Sequence, residues 1–100
     1  MATTTKVLAR TAAATSSTTL YTVPASTTTV VTNIVVTNTA GSSGTFTLNL
    51  NGVALFTTTA IAANTTAMFD LKQVLATTQT ITGLASATTI NFHISGVEIA

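Results

Sequence analysis

The sequence predicts an all-β domain: an antiparallel β-sandwich or small jelly roll of about seven to eight short strands, preceded by an extended N-terminal arm. Three observations carry this. Apolar residues recur with a period of two, whereas a helix would need 3.6. β-Branched residues fill the segments between turns. Clusters of Gly, Asn, Ser and Pro punctuate the chain at a spacing of about 8 to 12 residues, as in sandwiches and small barrels.

Taken in order, residues 1–16 show no pattern beyond "KVLAR" and read as an arm that either adds a strand or lies on a neighbour. Residues 17–100 read as one β-sandwich domain, long enough to bury a core without staples. "TLYTV" (19–23) is a strand that stops at Pro24, which cannot donate to a ladder and marks an edge or a strand end. "TVVTNIVVTN" places Val30, Thr32, Ile34 and Val36 on one face and Val31, Asn33, Val35 and Thr37 on the other. Both faces are partly apolar, which predicts a central strand covered on both sides.

"TFTLNLNGVALF" is a hairpin, because Asn51-Gly52 supplies the positive-φ pair of a type I′ turn. Counting back from that turn sets Leu50 opposite Val53 and Leu48 opposite Leu55, with Phe46, Leu48 and Leu50 facing the core. Phe56 then falls on the outer face beside Thr47. "AMFDL" (67–71) turns Ala67, Phe69 and Leu71 inward, and "QTITGL" (79–84) is a shorter strand. "TTINFHISGVEIA" turns Ile90, Phe92 and Ile94 inward. Its apolar phase then slips to Val97 and Ile99, which predicts a β-bulge at Ser95-Gly96. Loops are expected at 39–44, 57–66 and 72–78, the last with room for one helical turn.

The charge content narrows function. Only Lys6, Arg10, Asp70, Lys72 and Glu98 are charged, against about a quarter of residues in ordinary domains. A net charge of +1 gives no field to attract nucleic acid or an anionic membrane, so neither is expected as a partner. No apolar run approaches the ~20 residues of a membrane-spanning helix, and without cysteine no disulfide or thiolate metal site can form. Threonine meets the β-branch preference of strands while its hydroxyl keeps the outer face wettable. A surface of hydroxyls and small apolar groups can be covered by neighbours without desolvating ions, which costs several kcal/mol per ion. The composition therefore points to a part of a larger assembly.

Chemistry-bearing residues are sparse. His93 is the one histidine. With Asp70 and a serine it has the residue types of a triad, but no Gly-x-Ser-x-Gly elbow is present, and one imidazole with two scattered carboxylates is a poor ligand set. "GSSG" (41–44) lacks the Lys-Ser/Thr and the helix of a phosphate loop. The threonine triplets at 3–5, 27–29 and 57–59 are too irregular for an ice-binding face. No catalytic residue, cofactor or metal is expected.

Three stretches carry a resemblance: "TTLYTVPASTTTVVTNIVVTNTAGSSGTFTLNLNG", "IAANTTAMFDLKQVLATTQTITGL" and "INFHISGVEI". Over residues 18 to 99 they resemble a group of small β-sandwich structural proteins of tailed-bacteriophage virions. The resemblance lies in the T-x-L-Y-x-V-P-A opening, the I-A-A-N-x-T segment and the closing SGVEI strand. It implies a non-enzymatic decoration (cement) subunit on the outer surface of the capsid, stabilising the head by binding the major capsid protein lattice, with self-association as a homotrimer. The alternative it implies is a tail or tail-fibre accessory domain that binds a host glycan or another tail protein. A longer insertion follows the "TFTLNL"-like strand in many of those proteins and is lacking here.

The contact residues expected on this reading fall in two groups. Lys6, Val7, Leu8 and Arg10 belong to the arm, where Lys6 and Arg10, four residues apart, point the same way in an extended chain. Tyr21, Phe56 and Met68 oppose the inward phase of their strands and so are expected on a wet face, where large apolar side chains suggest an interface.

Overall fold

The computed structural model describes residues 2–100. Eight strands follow one another: β1 (Thr3–Ala12), β2 (Thr18–Thr22), β3 (Thr28–Asn38), β4 (Gly44–Leu50), β5 (Val53–Ile61), β6 (Thr65–Leu75), β7 (Thr80–Ala85) and β8 (Ile90–Ile99). They form two antiparallel four-stranded sheets, ordered β1-β8-β3-β6 and β2-β7-β4-β5. The pairing has a single origin. Leu50 faces Val53, Thr29 faces Leu75, Thr22 faces Thr80 and Thr3 faces Ile99, so all four pairs centre on the Asn51-Gly52 turn. The chain is one long hairpin folded about that turn and wrapped so that alternate sections fall in opposite sheets. This is the jelly roll, and the β3–β8 and β4–β7 pairings close it. Asn51 and Gly52 take φ values of 51° and 76°, as a type I′ turn requires.

The inner faces meet in one core. Phe46, Phe92, Ile34, Leu48, Ile81, Ile90 and Ile94 are fully buried, and each contributes roughly 1.5–3 kcal/mol by its removal from water. Phe46 lies at the centre of an aromatic group, its ring centroid 5.6 Å from Phe56 and 6.3 Å from both Phe69 and Phe92. Phe56 and Phe69, from facing sheets, come to 4.5 Å. The expected inward residues of β8 and of "AMFDL" take those positions.

Several local expectations are corrected, mostly by bulges. In β3 the buried positions are Thr29 and Val31, then Ile34, Val36 and Asn38. The phase changes at Thr32, the extra residue where Val31 faces Gly96 and Asn33 faces Ser95. β3 is the interior strand expected, flanked by β8 and β6, but only its core face is covered: that face changes parity at Thr32, and Val30 and Val35 stay on the outer face. The bulge expected on β8 at Ser95-Gly96 lies instead on both its neighbours at that level, at Thr32 of β3 and at Leu8 of β1. Gly96 explains why: a Cβ there would stand 2.3 Å from the Val30 carbonyl oxygen, so the close approach of β3 requires glycine.

In β5 the pair Leu50–Val53 holds, but Leu55 is an extra residue between Ala54 and Phe56. Leu48 consequently faces Phe56, not Leu55, and the Phe56 ring turns inward. Two expected loops are largely strand, since β5 runs to Ile61 and β6 continues through Lys72, Gln73 and Val74 to Leu75 with no helical turn. The N-terminal segment adds a strand to its own sheet: β1 pairs with β8 along its length, and Ala2 and Ala100 exchange backbone hydrogen bonds of 2.7 and 2.8 Å.

Candidate interaction surface

Of the expected contact residues, Lys6, Val7 and Arg10 are exposed on β1, and Met68 is 74% exposed on β6. The other three are corrected. Leu8 is buried in the chain's own core, because the β1 bulge at that residue turns it inward. Tyr21 is buried as well, since the register of β2 against β7 shifts between Thr19 and Tyr21 and reverses the expected face. Phe56 packs on Phe46 and Phe69. The β1 bulge also parts Lys6 from Arg10, which sit opposite Gly96 and His93.

Tyr21 reaches across from the second sheet to a polar cluster at one end of the sandwich. Its hydroxyl donates to the Glu98 carboxylate and lies 2.8 Å from the Thr29 hydroxyl. Lys6 Nζ stands 3.3 Å from Glu98 Oε1, with the lysine side chain 47% exposed and the glutamate 13%. Burial, reinforced by the neighbouring carboxylate, pushes the Tyr21 phenol up from 10.0 to about 12. The Tyr21 hydrogen bond holds Glu98 below the usual carboxylate range against the opposing effect of burial, and Lys6 adds to the lowering. The two groups thus keep each other in their neutral and ionised forms, and the cluster ties three strands of the first sheet to the second. Sequence reasoning missed it. Glu98 continues the inward phase of Ile90, Phe92, Ile94 and Gly96, which the supposed bulge on β8 obscured.

The outer faces of the two sheets differ in kind. All five charged residues lie in the first sheet: Lys6 and Arg10 on β1, Asp70 and Lys72 on β6, Glu98 on β8. Its outer face carries a row in which Val30 lies between Val97 and Val74, the last 65% exposed, and a second in which Val35 lies between His93 and Met68. His93 also sits opposite Arg10, and β3 separates its strand from that of Asp70. Among the described residues no three His, Cys, Asp or Glu side chains come together.

In β2, β7, β4 and β5 no residue is charged. Between the buried residues Ile81 and Gly83 on β7, and Phe46 and Leu48 on β4, the outward positions are Thr82 and Thr47. Thr82 is flanked by Thr19 and Asn49, and Thr80 faces Thr22. The result is a hydroxyl-lined sheet free of ions. Comparison with known protein families and with curated proteins finds no match. The case for function therefore rests on these surfaces and on the sequence resemblance. Val74 and Val53 were not foreseen as exposed residues, the first because its segment read as a loop and the second because it was placed on the core face.

Proposed function

We propose that this chain is a non-enzymatic structural subunit of a tailed-phage virion, a decoration protein that lies on the outer surface of the major capsid protein lattice and stabilises the head. The supporting observation is the charge-free outer face of the β2-β7-β4-β5 sheet. Covering a threonine face strips no ion of its water, so modest apolar and hydroxyl contacts suffice for net attachment. Repeated over many symmetric copies, such contacts add up to a mechanical restraint on the shell. The jelly roll suits this work because its rigidity comes from a sealed core, leaving both outer faces available.

Densitometry of purified particles, with imaging of the labelled chain, tests the proposal. Copies on the order of hundreds per particle, located on the shell, are expected from lattice symmetry. A location on the tail, or copies on the order of a dozen, would contradict it and favour the tail accessory reading.

A further inference from the structure

The edge of the first sheet carries a pattern that a second copy of this chain would complete. β6 is the outermost strand of that sheet, hydrogen-bonded to β3 on one side, and among the described residues no strand pairs with its other side. Its outward positions include Met68, Asp70, Lys72 and Val74, alternating with the inward Phe69 and Leu71. This sequence is self-complementary about Leu71. If two β6 strands meet antiparallel around a twofold axis at Leu71, Asp70 of each copy faces Lys72 of the other, and Met68 faces Val74. The geometry points to a homodimer formed by β6–β6 pairing, in which two four-stranded sheets become one continuous sheet of eight.

Registers with the axis one residue away fail, and those about Phe69 or Gln73 leave Asp70 and Lys72 without an opposite charge. In an antiparallel pair, directly opposed residues share a face, and the inner face of each sheet is already covered by its partner sheet. Pairing outward with inward positions is thereby excluded. Moving the axis to Asp70 sets carboxylate against carboxylate, and moving it to Lys72 sets ammonium against ammonium. Parallel in-register stacking, the arrangement of fibres, repeats both like-charge contacts. Charges on an edge strand commonly serve to prevent pairing. Here the order Asp-Leu-Lys repels open-ended stacking and favours one closed, isologous contact. The same contact covers Met68 and Val74, the two most exposed large apolar side chains of this sheet. The inference does not depend on attachment to a shell, and its twofold symmetry differs from the threefold association expected from the resemblance.

Sedimentation velocity of the purified full chain over a range of concentrations tests it. The expected result is a concentration-dependent species of two subunits. Lys72→Glu, and separately Asp70→Lys, should weaken the dimer by about tenfold or more, since each replaces two opposite-charge contacts with two like-charge ones. The exchange Asp70→Lys with Lys72→Asp should restore it. A second test reads proximity directly. An oxidised equimolar mixture of Asp70→Cys and Lys72→Cys chains should form the mixed disulfide almost exclusively, far beyond its share under random pairing, because opposed residues lie within reach of a disulfide and the like pairs do not. A monomer at every concentration, a trimer, a dimer indifferent to both charge reversals, or the three disulfides in the proportions of random pairing would overturn the inference.

Discussion

Tyr21→Phe removes one oxygen atom and breaks two interactions that join the sheets. The Thr29 hydroxyl, fully buried, has Tyr21 as its hydrogen-bond partner and is left unsatisfied, which costs about 1–3 kcal/mol. Glu98 loses its bond from the phenol and, among the described residues, keeps Lys6, itself half exposed. Together these amount to about 3 kcal/mol, a large share of the ~5–15 kcal/mol that holds a domain of this size folded. Urea unfolding should register this loss, with a fall in Tm of roughly 10–20 °C. Adding Thr29→Val removes the orphaned hydroxyl, so the double variant should be more stable than the sum of the two single losses predicts.

The same site sets a pH dependence whose sign follows from its two shifts. Glu98 is held below its ordinary value of 4.5, so its stabilisation is present above that pH and is lost as pH falls through the lowered folded value. Tyr21 is raised from 10.0 to about 12, so its stabilisation is complete below pH 10 and is lost as pH rises towards 12. Tyr21 is the one tyrosine and tryptophan is absent, so phenolate absorbance reports this group alone. A spectral midpoint near 10 in the folded chain would refute the reasoning. So would a Tyr21→Phe variant as stable as the parent.

Three other perturbations follow from the fold. Gly96→Ala drives a methyl group into the Val30 carbonyl and should cost about 3 kcal/mol or more by chemical denaturation, because backbone must move to admit it. Asn38→Ala should cost about 2–3 kcal/mol and raise amide exchange in residues 39–43 and 62–64. The buried Asn38 side chain donates to the carbonyls of Ser42 and Ala62 and accepts from the Ala40 amide, joining two turns. Deleting residues 2–12 should leave a chain that aggregates or fails to show a cooperative transition, since it removes β1 with Leu8 and bares the edge of β8.

The two-residue period and the Asn51-Gly52 turn made the fold class legible from the sequence, because both are local. Leu48, Phe46 and the inward residues of β8 were legible for the same reason. Faces were lost wherever a bulge inserted a residue, as at Leu8, Thr32 and Leu55, because one extra residue reverses every side chain that follows. Tyr21 and Phe56 were misplaced in this way. Bulges answer to contacts between distant strands, such as the approach of Val30 to Gly96, and leave little trace in the local pattern. The arm was hard to read because "TTTKVLAR" has few apolar residues, and its place depends on a partner strand more than eighty residues away. The Tyr21–Glu98 cluster and the uncharged sheet needed the topology, which alone shows that the charged strands fall together.

The most direct measurement asks whether the ion-free sheet is the surface laid against the shell. Thr47→Lys with Thr82→Lys adds two charges at outward positions of β4 and β7. Thr47 also accepts a hydrogen bond from the Thr58 backbone amide, an exposed bond whose loss should cost about 1 kcal/mol, so a cooperative urea transition is confirmed for the variant first. In a cosedimentation assay with phage heads stripped of this protein, the parent chain should saturate the shells and the double lysine variant should stay in the supernatant. Equal binding by the two, or no binding by the parent, would contradict the account.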